Sequence, residues 1–167
     1  KVTATRYTRK GILVRLKKDF YIAANKFEQL TEKDFFRLAN IIQVPSYISL
    51  TSALSYYNLT TQQLRNTVES LAVKRTKIVK VKNIVFSYSL IKKEFYLGFG
   101  LVDNFFIASP EKALADAVYL TSLNKYSFDF EALNFKKINK QKVNEFLQLT
   151  NSRTLLFWEK ICRRYKI

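Results

Sequence analysis

The sequence predicts an α+β fold, an antiparallel β meander packed by several α-helices and preceded by a short basic hairpin. Three observations carry the prediction. Apolar residues recur with period two across residues 67–99 and with helical period on either side. Two strong helix starts stand out, Thr31 before Glu32 and Asp34, and Ser109-Pro110-Glu111. The chain of 167 residues is 48% hydrophobic, with 14 Phe and 10 Tyr against 3 Gly and 2 Pro, a composition that builds a core. Its length suits one medium domain, or one domain with part of another.

Residues 1–7 are basic and read as the end of a helix. A β-compatible run at residues 12–16, a polar tip at Lys17-Lys18-Asp19 and a second run at residues 20–23 predict a hairpin. Asp19 tolerates the positive φ of a tight turn. A basic helix end before a basic hairpin is the back half of a winged helix, whose wing lies on phosphates. An edge hairpin with lysines placed against edge pairing gives the same pattern. Residues 24–29 read as a linker. Thr31 caps a helix with Phe35, Leu38, Ala39 and Ile42 as its stripe, and Pro45 ends it. Residues 45–59, PSYISLTSALSYYNL, then predict a short helix capped by Ser49, with Leu50, Leu54 and Tyr57 on one face and Asn58 closing it. Thr60 and Thr61 start a further turn of helix through Leu64.

Four strands are expected at residues 68–73, 78–81, 84–90 and 94–99, with Lys82-Asn83 as a two-residue turn. In the second strand Lys77, Val79 and Val81 face one way, and Ile78, Lys80 and Lys82 the other. Phe86, Tyr88 and Leu90 share a face of the third. Phe86 or Tyr88 then either stacks bases or lines the inner face of the sheet. In the helix opened by Ser109, Ala113, Leu114, Ala117 and Val118 form a small-residue stripe, and Lys112 and Asp116 pair at i, i+4 on the solvent side. Two helices end the chain, striped by Val143, Phe146 and Leu147, then by Leu155, Trp158, Ile161, Cys162 and Tyr165.

The 29 Lys and Arg against 13 Asp and Glu leave a net charge of +16, which points to polyanionic partners. An AT-rich genome enriches Lys, Asn, Ile, Phe and Tyr together and yields the same excess. Distribution separates the two readings. Lys1, Arg6, Arg9, Lys10, Arg15, Lys17 and Lys18 precede the first acid, Asp19. Lys74, Arg75, Lys77, Lys80, Lys82, Lys92 and Lys93 lie between Glu69 and Glu94 with no acid among them, as two basic surfaces would. The absence of His removes the commonest general base and zinc ligand. Cys162, the one cysteine, forms no internal disulfide and fits a reducing, cytoplasmic compartment. There is no glycine-rich phosphate loop, and no apolar run approaches the ~18 residues of a membrane span. The expectation is a binding protein and not an enzyme, with no catalytic residue, metal, cofactor or membrane. The chain opens Lys1-Val2-Thr3 without any Met and reads as trimmed at its N-terminus.

PSYISLTSALSYYNL at residues 45–59 and IASPEKALADAVYL at residues 107–120 resemble the signature stretches of the AbiE-type antitoxin family (AbiEi). VESLAVKRTK at residues 68–77, then a β meander and FYLGF at residues 95–99, falls in the same order as in that family. GILVRLKKDFYIA at residues 11–23 resembles the wing that precedes the family domain. The resemblance implies a partial winged helix at residues 1–28, comprising the recognition-helix end and the wing, and an antitoxin domain at residues 29–167. It implies a type IV toxin–antitoxin system of abortive phage resistance, whose antitoxin represses its own operon at inverted repeats in operator DNA. That antitoxin counteracts a cognate nucleotidyltransferase-type toxin without requiring a stable complex. The implied DNA-facing residues are Arg6, Arg9, Lys10, Arg15, Lys17 and Lys18, and the implied basic surface of the antitoxin domain is Lys74, Arg75, Lys77 and Lys80. Two departures from the family pattern stand in the sequence: it opens at the end of the third helix of a winged helix, with the upstream helices trimmed, disordered or lost, and Asp19 stands where a glycine is common. Two other functions fit the residues. One is a winged-helix regulator with a ligand-sensing C-terminal domain, which an apolar pocket with convergent polar groups would favour. The other is an RNA-binding protein using residues 74–93.

Overall fold

Local sequence sets most element boundaries in the computed structural model, which describes residues 2–167. Helix α1 (Val2–Arg9) leads into a hairpin of β1 (Leu13–Lys17) and β2 (Phe20–Ala23). Asp19 occupies the tip at φ 58, a conformation its short polar side chain tolerates. Residues 24–29 are not a linker. Ala24–Glu28 forms a short helix, α2, because Phe27 drops into the core. Helix α3 (Glu32–Ile42) opens on a capping box in which Thr31 Oγ1 accepts from the Asp34 amide and the Asp34 carboxylate accepts from the Thr31 amide. Its Phe36, Leu38, Ala39 and Ile42 are buried, and Phe35 packs half-buried beside them.

Residues 45–59 hold a strand and a helix, not one helix. After the cis Val44–Pro45 bond come β3 (Ser46–Ile48) and α4 (Leu50–Tyr56). The period-two stretch gives β4 (Thr67–Ala72), β5 (Lys77–Val81) and β6 (Ile84–Leu90) as expected. The turn of helix expected at residues 60–64 does not form, and Thr60 makes an isolated bridge with Leu133. The strand expected at residues 94–99 is also absent. A 3₁₀ turn (Lys93–Phe95) leads instead to β7 (Phe99–Val102), which pairs with β8 (Phe105–Ala108) across Asp103-Asn104. Both turn residues have positive φ, 47° and 65°, the geometry of a type I′ hairpin. Helix α5 (Pro110–Ser122) starts where Ser109-Pro110-Glu111 predicts, with Ser109 Oγ accepting from the Lys112 amide. Helices α6 (Lys140–Leu147) and α7 (Ser152–Tyr165) complete the chain.

The six-stranded sheet has the order β5-β6-β4-β3-β8-β7 and is mixed, correcting the expected antiparallel meander. β4 runs parallel to β6 and β3 parallel to β8, while β3–β4, β5–β6 and β7–β8 are antiparallel. Burial explains the order. β6 buries Ile84, Phe86 and Tyr88 and takes an interior place, while β5 exposes Ile78 and Lys80 and takes the edge. Helix α3 covers one face, where Phe36 meets Phe105 at 5.3 Å between ring centroids and the Tyr88 hydroxyl donates to Ala39 O at 2.7 Å. Helix α5 covers the other face and carries α6 and α7 on its far side. The N-terminal hairpin contributes Val14 and Leu16 to the same core, with β1 lying beside β5.

Candidate nucleic-acid interface and the buried polar clusters

The sheet pleat and the helix dipole together present the basic residues near the N-terminus. Arg6 and Arg9 are exposed in the last turn of α1, where a cation suits the carbonyl end of the dipole, and Lys10 is exposed just beyond. On β1, Val14 and Leu16 point inward and Arg15 outward, and Lys18 is exposed at the tip. Lys17 is engaged differently. Its ammonium donates to Ile41 O in the last turn of α3 at 2.6 Å and lies 5.4 Å from the Phe20 ring centroid, so it clamps the hairpin to α3.

Lys74 and Arg75 are exposed in the β4–β5 loop, Lys77 is half-buried on β5, and Lys80 is exposed on the same strand. Because β1 lies beside β5, the β5 part of the second acid-free zone adjoins the first. Lys82, in the second zone, pairs with Glu28 at 3.0 Å and ties α2 to the β5–β6 turn. Phe86 and Tyr88 line the inner face and are fully buried, so neither offers a ring to a base.

Lys112 and Asp116 do pair across one turn of α5, but both are 0% exposed, so the expected solvent pair is a buried one. Asp116 Oδ2 also accepts from Ser49 Oγ at 2.7 Å and from the Tyr47 hydroxyl at 3.0 Å. The Lys112 ammonium lies 3.5 Å from the centroid of the Phe95 ring. Burial pushes the Asp116 carboxyl up and the Lys112 ammonium down, and each is opposed by the charge of the other. Burial also raises the Tyr47 hydroxyl. Closed off from the surface, the cluster joins β3, α5 and the Lys93–Phe95 turn. A signal for its burial stands in the sequence. ALADAVYL at residues 113–120 is apolar nearly all round the helix, the pattern of an element covered on both sides.

A second polar cluster escaped sequence reading altogether. Glu69 on β4 accepts from the Thr51 amide at 3.0 Å and from the Tyr126 hydroxyl at 2.9 Å, and its own amide donates to Ser52 Oγ at 2.9 Å. Burial raises the Glu69 carboxyl, against the pull of those donors. Partners separated by 57 residues in sequence leave no local motif to read.

An apolar groove of about 820 Å³ opens where β3 and β8 diverge, lined by Phe20, Val44, Tyr96, Phe99 and Phe106. Four of its polar residues, Lys17, Arg37, Asn40 and Ser46, are engaged within the fold. Asn40 bridges Ser46 O and the Phe106 amide, Arg37 donates to Asp103 O and Asp34, and Ser46 Oγ donates to Gln43 O. Among the described residues no cluster of His, Cys, Asp and Glu is placed to hold a metal ion, and no helix is long and apolar enough to cross a membrane. No protein-family model matches the chain, and no match to a curated protein is found.

Proposed function

We propose that the protein is a cytoplasmic AbiE-type antitoxin that binds operator DNA to repress its own operon and counteracts a nucleotidyltransferase-type toxin. The observation that carries this reading is the basic surface around the hairpin: exposed Arg6 and Arg9 on α1, Lys10 just beyond it, Arg15 on β1 and Lys18 at the tip, with β5 and its exposed Lys80 beside β1. The order of helix, basic hairpin and α+β fold along the chain supports the reading. In this reading the protein binds and does not catalyse. The ligand-sensing alternative draws on the groove at the β3–β8 split. The groove offers apolar walls, and Lys17, Arg37, Asn40 and Ser46 on its rim are already bonded within the fold, which ranks that alternative second.

Two arms of one experiment test the proposal. Growth is scored with the full chain co-expressed beside its cognate toxin, and the variant reverses charge at Lys74, Arg75, Lys77 and Lys80. Rescue by the parent and failure by a folded variant place antitoxicity on that surface. No rescue by the parent overturns the antitoxin reading. In the second arm, affinity for a duplex carrying the upstream inverted repeats is followed against salt. Arg6→Ala, Arg9→Ala and Lys10→Ala together flatten the slope of log K on log salt by ~0.9 for each phosphate that is no longer neutralised.

A further inference from the structure

The two edges of the six-stranded sheet are defended differently. β5 carries Lys77 and Lys80 and has β1 beside it. β7, at the opposite edge, reads FGLV, and no Asp, Glu, Lys or Arg stands between Glu94 and Asp103. An edge strand left uncharged and uncovered is a template for another strand.

Register shows which backbone groups are open. The two-residue turn makes Val102 and Phe105 a hydrogen-bonded pair, so Gly100 and Ile107 form the next one, and Phe99 and Leu101 turn their N–H and C=O away from β8. The same alternation is visible on β8, where the Phe106 amide points away from β7 and donates to Asn40 Oδ1 at 2.6 Å. Leu101 is 63% exposed, and its cross-strand neighbour Phe106 is 45% exposed. Between the two outward-facing residues, Gly100 has nothing within 4 Å of where a Cβ would stand.

We propose that β7 pairs antiparallel with β7 of a second copy of this chain, about a two-fold axis at Gly100. The strand is self-complementary there. Phe99 of each copy faces Leu101 of the other, and each such pair exchanges two main-chain hydrogen bonds. The glycines meet at the close, non-bonded position, and the exposed Leu101 side chain is carried against the aromatic Phe99–Phe106 pair of the neighbour. Charge selects this occupant. An acidic segment from another protein finds no cation on β7 to meet, although the chain as a whole carries +16. A second copy brings no like charge to the strand itself. The remaining repulsion between two +16 molecules is long-range and screened by salt, so this association strengthens with ionic strength while phosphate binding weakens.

Sedimentation velocity of the full chain over a concentration series, at low and high salt, tests the proposal. The mass is expected to move from one chain to two, at lower protein concentration in high salt. Amide exchange at Phe99 and Leu101 slows as the dimer fills, while Gly100 and Val102, bonded to β8, are slow throughout. Leu101→Lys weakens self-association by about ten-fold or more and leaves the urea midpoint unchanged at protein concentrations where the parent is a single chain. A single-chain mass at every concentration and salt overturns the proposal, as does a dimer in which the Phe99 and Leu101 amides exchange freely or one that Leu101→Lys leaves intact.

Discussion

At the scale of single residues, the buried Lys112–Asp116 pair is a point where one substitution leaves an uncompensated charge in the core. Two opposite charges in a dry interior are held by Ser49, Tyr47 and the Phe95 ring, so removing either charge strands the other. Asp116→Ala is expected to cost about 3–5 kcal/mol of unfolding free energy in urea titrations. Replacing both members with apolar residues of similar size is expected to cost much less than Asp116→Ala alone, because no unpaired charge remains. Glu69 gives a pH signature. Its folded pKa lies above its ordinary value of 4.5 because it is buried. Between those two values the native state holds a proton that the unfolded chain has released, so stability falls as pH rises through that window. Glu69→Gln removes this part of the slope, read as urea midpoints from ~pH 4 to ~pH 7. Asp116, whose carboxyl is also raised by burial, contributes a slope of the same sign that remains in the variant.

At the scale of elements, boundaries with a local chemical cause were legible in the sequence. Thr31→Ala removes a capping box and is expected to cost about 1 kcal/mol in urea unfolding; an unchanged midpoint would mean that packing, not the cap, sets the start of α3. The Ser109 cap, the Asp19 tip and the Lys82-Asn83 turn were equally local and equally readable. The β7–β8 hairpin was missed although its signal is present. Asp103-Asn104 stands between FGLV and FFIA, two residues able to adopt positive φ between two apolar runs. What misled was the aromatic run before it, where Phe95, Tyr96 and Phe99 suggested a strand. Phe95 instead turns into the core over Lys112. The β3 strand was hidden for a different reason, since three residues are too few to show a period. Sheet order was not legible, because the parallel β4–β6 and β3–β8 pairings join distant segments that no local pattern specifies. Of the candidate interface, the identity of the basic residues was readable. Their adjoining across β1 and β5 and the diversion of Lys17 to Ile41 O were not, since both depend on how the hairpin docks.

At the scale of the whole molecule, that docking decides whether the hairpin is an appendage or a part of the fold. Val14 and Leu16 of the hairpin and Phe27 of α2 are all buried in the cluster that also holds Phe36, Phe86 and Tyr88. Phe27 meets Phe35 edge to face at 5.8 Å, and Phe35 meets Phe86 at 6.5 Å, so a line of rings runs from α2 to the centre of the sheet. Lys17 on Ile41 O and Lys82 on Glu28 fasten the same unit at two further points. Deleting residues 1–28 therefore uncovers Phe35 and one side of β5 as well as removing the basic hairpin. Each fully buried apolar side chain removed is worth roughly 1.5–3 kcal/mol, so the shortened chain is expected to lose several kcal/mol and to unfold at a clearly lower urea concentration. An unchanged midpoint would mean that the hairpin rests on a core complete without it. A drop of the expected size would mean that anything pulling on the hairpin, a bound polyanion included, acts directly on the stability of the domain behind it. In that case a ligand of the hairpin would raise the midpoint of the full chain and leave that of the shortened chain unmoved.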